Sequence, residues 1–202
     1  MGEMIKMVVV LTVLSVVSGG SLSWLKDFTE PKIENQVMNL VKGPAIRQIL
    51  SEADNDPVED RFKIMDGDVE RNVFVGVFGG AADTVVMESS ASGYGDKIGM
   101  VVAINMVDET LRGIAVTTHK ETPGLGDKVR SDWSDQFADK TATEDVKVVK
   151  GEPEGNEIKA ISGATVSSKS VTKIVNKAII EFRNALFEKK LENELEKKVS
   201  TN

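Results

Sequence analysis

The run from Met7 to Leu25, MVVVLTVLSVVSGGSLSWL, carries no charged side chain. A backbone in hydrocarbon must satisfy its own N–H and C=O groups, which restricts such a run to a helix. At about 1.5 Å of rise per residue it spans ~29 Å, close to the roughly 30 Å of a bilayer core. Trp24 stands at its far end, where an indole buries its ring and keeps its N–H hydrated. Lys6 precedes the run and Lys26 follows it, so the flanking charge orients it weakly. The small residues Ser18-Gly19-Gly20-Ser21 would also suit signal-peptide cleavage. Apolar residues continue past Gly20 to Trp24-Leu25, which favours an uncleaved single-pass anchor. Either reading carries the remainder across the membrane. The expected location is the cell (inner, cytoplasmic) membrane, with the soluble domain on the extracytoplasmic side.

Composition removes several function classes. The net charge of the 202 residues is -7, with no basic patch studded by aromatics, which excludes nucleic acid as a partner. There is no cysteine and a single histidine. That excludes thiolate-held iron–sulfur clusters and bis-histidine haem, and argues against a zinc site. No metal ligands and no catalytic residues are assigned. If the chain carries electrons, the carrier is organic and comes from outside.

Four segments follow from the pattern. Residues 1–28 form the transmembrane anchor and 29–56 a connecting helix and acidic loop. Residues 57–187 form the folded domain, and 188–202 a tail charged on every face. In the connecting segment Val37, Leu40, Val41, Ile46, Ile49 and Leu50 make an apolar stripe that a Gly43-Pro44 break interrupts. Alternation then predicts strands at Phe62–Ile64, Val73–Phe78 and Thr84–Met87, each bounded by Gly or Asp. Ile98–Val107 and Leu111–Thr118 predict a hairpin across Asp108-Glu109-Thr110, followed by a short helix near Ser131–Ala138 and a strand near Val146–Val149. The expected fold class is α+β: a largely antiparallel sheet with packing helices, preceded by one N-terminal transmembrane helix.

Val171, Ile174, Val175, Ala178, Ile179, Phe182 and Leu186 recur at helical spacing, so the last segment is an amphipathic helix. Ser162-Gly163-Ala164-Thr165 lies at its mouth, where free N–H groups and the helix dipole suit a phosphate. The alternative is that Ser162 or Thr165 simply caps the helix. A second pattern occurs twice, as Gly93-Tyr94-Gly95-Asp96-Lys97-Ile98 and Gly124-Leu125-Gly126-Asp127-Lys128-Val129. Neither is a dinucleotide fingerprint, because the third glycine is misplaced or missing. These glycines are either ordinary turns or places where backbone approaches a flat ligand.

Ser162-Gly163-Ala164-Thr165 before a helix resembles the attachment motif of the covalent FMN-binding domain family, in which a flavin transferase esterifies FMN to the threonine. His119-Lys120-Glu121-Thr122-Pro123-Gly124-Leu125-Gly126 resembles the ETPGLG segment of the G subunit of the Rnf ferredoxin:NAD oxidoreductases. It is also similar to the related segment in the C subunit of the sodium-translocating NADH:quinone reductases. With the anchor and the Gly93-Tyr94-Gly95 loop, the resemblance spans nearly the whole chain.

The resemblance implies FMN bound covalently to Thr165 through a phosphodiester, with Ser162, Gly163 and Ala164 as the phosphate-side turn. It places Glu121, Thr122, Gly124, Leu125 and Gly126 against the isoalloxazine ring, with Leu125 over one face. Glu121 would serve equally by holding its own loop, and Tyr94 either stacks near the ring or packs a turn. His119 belongs to the resemblance and reads as structural. The family usually has aspartate six residues before the acceptor, where this chain has Lys159. Lys159 is expected to assist the phosphate as a cation.

The implied function is a membrane-anchored electron-transfer component of an Rnf-type complex coupled to translocation of Na+ or H+. Its implied partners are the other membrane and peripheral subunits, a flavin transferase during maturation, and membrane lipid. The alternatives are a tethered domain that binds flavin reversibly, and a structural assembly component without flavin.

Overall fold

The computed structural model describes residues 2–66 and 69–187; the charged tail expected over 188–202 lies outside them. The chain divides into two compact units, Met1–Val41 and Lys42–Asn202.

In the first unit, helix α1 (Gly2–Val37) contains the uncharged run and presents its apolar side chains outward. It is long and apolar enough to cross a membrane as a single-pass anchor. Thr12 returns its hydroxyl to Val8 O at 2.8 Å, so its polarity is satisfied within the helix. Where the apolar run gives way to charge, Trp24 stacks on Phe28 and Lys32 Nζ lies 4.5 Å over the Phe28 ring. That cation–π contact suits the edge of an apolar layer.

The Gly43-Pro44 interruption takes a different form from the expected break. The backbone loosens instead into a π turn at Met38–Lys42, and helix α2 (Gly43–Ile49) follows directly. Pro44 occupies the first turn of α2, where a helix does not need its N–H.

The second unit is built on five antiparallel strands in chain order: β1 (Phe62–Asp66), β2 (Val69–Phe78), β3 (Ala81–Ser92), β4 (Lys97–Asn105) and β5 (Thr110–Thr118). The strands expected up to Met87 lie within these spans, and the hairpin strands match β4 and β5. The β4–β5 hairpin turns at the expected place, with Asn105 Oδ1 accepting from Val107 N at 2.8 Å and Asp108 N at 3.1 Å. Glu109 takes the left-handed conformation there, at φ 51°.

Side chains alternate across the sheet, and both faces are covered. Val85, Met87, Ile98, Met100, Val102 and Ile104 share one core with Val171, Ile174, Val175, Ala178, Ile179 and Phe182 of helix α3 (Thr165–Phe187). On the opposite face Phe74, Val86, Val101 and Ala103 are buried. There α2 supplies Ile46, and Leu50 follows; a Cβ on Gly76 would stand 3.1 Å from Leu50 Cδ1. That double burial explains why β4 reads as a continuous apolar run.

Two further differences from the sequence reading are local. The short helix expected near residues 131–138 is a 3₁₀ turn, Asp132–Phe137, with a second just before it at Gly126–Arg130. Strand β6 (Lys147–Val149) pairs in parallel with β7 (Glu157–Lys159), a strand too short to show alternation. Beyond β7 the chain turns into α3, which brings Thr165 to the end of the main sheet.

Phe182 is fully buried at the centre of the core. Phe182→Ala should lower the unfolding free energy by about 3–5 kcal/mol, measured by urea denaturation.

Candidate functional site

Helix α3 begins at Thr165, and the residue before it is Ala164. A methyl group cannot accept a hydrogen bond, so this helix start has no side-chain N-cap from the SGAT run. The turn is held differently. Ser168 Oγ accepts from Ile161 N at 2.9 Å and donates to Ala164 O at 3.1 Å. Gly163 makes the turn in the left-handed region, at φ 79°, which a glycine adopts at no steric cost. The first-turn N–H groups at Thr165, Val166 and Ser167 therefore have no intrahelical acceptor. They sit beside the half-buried Thr165 at the positive end of a helix of 23 residues.

Opposite this helix mouth lie the two glycine loops, and a cleft of about 450 Å³ opens between them. Eight of the sequence-assigned residues line it: Tyr94, Glu121, Thr122, Leu125, Gly126, Gly163, Ala164 and Thr165. Val166 and Ser167 complete the lining. Tyr94, Leu125 and Val166 are exposed apolar groups at 72%, 46% and 52%, an unusual concentration beside one cleft. A Cβ on Gly163 would meet Leu125 Cδ2 at 3.3 Å, so the ETPGLG loop touches the SGAT turn directly.

Glu121 is buried at 5% exposure and holds three segments together. Its Oε1 accepts from Tyr94 N at 2.9 Å and Gly95 N at 3.1 Å. Its Oε2 accepts from the Ser167 hydroxyl in the first turn of α3. The surrounding glycines follow from this carboxylate. A Cβ on Gly93 would stand 2.3 Å from Glu121 Oε1, and one on Gly126 would stand 2.8 Å from Oε2. Gly95 is equally constrained, 2.1 Å from Lys120 O. At Gly93, Gly95 and Gly126 the missing side chain makes room for protein groups, the Glu121 carboxylate, the Lys120 carbonyl and the Ser167 hydroxyl. His119 is structural here, with its Nδ1 accepting from Glu121 N at 3.3 Å.

Three assigned residues lie away from the cleft lining. Ser162 is an exposed turn residue. Gly124 provides the left-handed turn of its loop at φ 75°, beside the Leu125 N–H to Thr122 O bond of 3.1 Å. Lys159 belongs to β7. Its ammonium pairs with Glu152, its N–H donates to Gln136 Oε1 at 2.9 Å, and its carbonyl accepts from Trp133 Nε1 at 2.7 Å. The expected cation at the phosphate is thus engaged elsewhere. Ser167 escaped sequence reading because its partner is 46 residues away and no local pattern links them.

The tip of the first glycine loop carries an exposed ion pair. Lys120 Nζ lies 2.7 Å from Asp96 Oδ2. This bond, with the Lys97 N–H to Asp96 Oδ1, holds the Asp96 carboxyl below the usual aspartate range. The same bond raises Lys120.

The profile of the FMN-binding domain family matches residues 93–180, which contain both glycine loops and the SGAT turn. The G subunit of the Na(+)-translocating ferredoxin:NAD(+) oxidoreductase complex of Acetobacterium woodii is 34% identical, over 89% of this chain and 91% of the relative. The chain belongs to the G-subunit family of ion-translocating oxidoreductase complexes. A second member, from Cereibacter sphaeroides, is 33% identical over 68% of this chain and 66% of its own. The fold recurs in the C subunit of the Na(+)-translocating NADH-quinone reductase of Parabacteroides distasonis. That structure has a TM-score of 0.58 at 19% identity, covering 72% of this chain and 90% of that one. Membership makes the chain one component of a multi-subunit oxidoreductase and its FMN-binding domain the cofactor-bearing part.

Gly126→Ala should destabilise the domain by about 1–3 kcal/mol in a denaturant titration, because the new methyl has no space beside Glu121 and Ser167. Lys120→Ala should raise the Asp96 pKa toward its ordinary value, read from the carboxyl carbon shift by NMR. A lowered folded pKa stabilises above the ordinary carboxylate pKa and is lost as pH falls through the folded value. The parent and the variant should therefore converge in stability at acid pH.

Proposed function

We propose that this chain is the electron-relay component of an Rnf-type complex and that Thr165 carries FMN through a phosphodiester at Oγ1. The observation that carries the reading is the uncapped mouth of α3. There an acceptor hydroxyl, unpaired first-turn N–H groups and an apolar-rimmed cleft converge. A cap would have taken up one of those N–H groups, and a fully packed helix start would have buried Val166.

The residues divide by chemistry. The N–H groups of Thr165, Val166 and Ser167 suit a phosphate diester, to which the helix dipole adds a favourable field. The left-handed Gly163 keeps side-chain bulk away from the linkage. Leu125, Tyr94 and Val166 offer apolar surface to a flat ring and limit water around it. Thr122 and Gly126 line the same cleft. Bound FMN supplies a group that takes up electrons singly or in pairs, which the side chains of a cysteine-free chain cannot do.

Covalent attachment has a physical rationale for a domain on the extracytoplasmic side of a cell membrane, where a dissociable cofactor would be diluted away. A tether keeps its local concentration high. Electron donors and acceptors are then other members of the complex, and a flavin transferase is the maturation partner. The helix α1 contacts lipid. A second reading, reversible flavin binding in the same cleft, rests on Lys159 standing where the family usually has aspartate.

Intact mass of the chain matured in a host with a flavin transferase separates the two. The expected gain is one FMN minus water, absent in Thr165→Ala. Unmodified protein that releases free flavin on denaturation would establish the second reading. Lys159→Ala should incorporate flavin as the parent does, since its ammonium serves Glu152.

A further inference from the structure

Glu121 is buried, and everything that meets its carboxylate is a donor: two backbone N–H groups and one hydroxyl. Among the described residues no cation pairs with it. Neutral donors solvate a charge without cancelling it, so a field of negative sign persists beside the cleft. The same carboxylate ties the Tyr94 loop to the first turn of α3, two residues beyond Thr165. It therefore positions both walls of the cleft while charging one of them.

We infer that Glu121 is a positioning residue that clamps Tyr94 and Gly95 to Ser167 and, through its uncancelled charge, makes the bound flavin harder to reduce. This rests on the reading that FMN occupies the cleft. A negative charge fixed in a low-dielectric wall disfavours adding electrons to a ring held against it. Ser167 moderates that charge by donating to it. The two residues thus act on the ring in opposite senses, which a purely structural role would not produce.

The test is a potentiometric titration of the purified, flavin-loaded full chain. Glu121→Gln keeps the shape and removes the charge, so its midpoint should shift to more positive potential. Ser167→Ala keeps the charge and removes one of its donors, so its midpoint should shift the other way. A Glu121→Gln midpoint equal to or below the parent's overturns the inference. So does a shift of both variants in the same direction. If Glu121→Gln takes up no flavin, Ser167→Ala decides alone, and a midpoint equal to or above the parent's overturns it.

A parent chain without flavin would instead count against the functional reading. The clamp is then read separately in that unmodified chain, by amide hydrogen exchange at Tyr94 and Gly95. Exchange at both should quicken in Glu121→Ala, and unchanged exchange there overturns the clamp.

Discussion

A carboxylate taken out of water and met only by neutral donors is an expensive arrangement. Desolvation costs several kcal/mol, offset only by well-directed hydrogen bonds to both oxygens. Glu121 has them, two at Oε1 from Tyr94 and Gly95 and one at Oε2 from Ser167. The surrounding backbone has to come close to do so, and glycine is what allows it at Gly93 and Gly126. The two glycine loops, the ETPGLG segment and the start of α3 are therefore parts of one polar joint. That joint fixes the loops against the helix mouth, and the cleft beside Thr165 is lined by the parts it joins.

The joint needs a rigid support, which the sheet supplies. The five strands run as a meander, so each loop connects nearest neighbours and no crossover constrains it. The Gly93–Asp96 turn and the segment after Thr118 emerge from the same end of the sheet, joined by the Lys120–Asp96 pair. Helix α3 is laid across one face by a continuous stripe from Val171 to Phe182, and α2 and Leu50 close the other. A site whose two walls come from strand ends and a helix end gains precision from this packing.

The open start of α3 follows from small residues. Ala164 offers no acceptor, Gly163 turns left-handed, and Ser168 secures the turn from inside the helix. A conventional capping side chain would have stabilised the helix by about 1 kcal/mol. Its absence leaves first-turn N–H groups without a capping acceptor among residues that line the cleft. In the function proposed here, a phosphate group would take up those hydrogen bonds.

Local order along the chain was enough to determine the anchor, the five strands, the terminal helix and the residues opening it. Helical and strand periodicities depend on neighbours a few positions apart, and so does the uncharged run from Met7 to Leu25. Eight assigned residues do meet at one cleft, because they lie in motifs that flank predicted elements. What tertiary structure alone decided was which groups each of them meets. Glu121 reaches Ser167 across 46 positions, and Lys159 pairs with Glu152 in the connection between two short parallel strands. Hydrogen-bond partners of that kind depend on where the folded backbone brings side chains, and no spacing in one dimension encodes them.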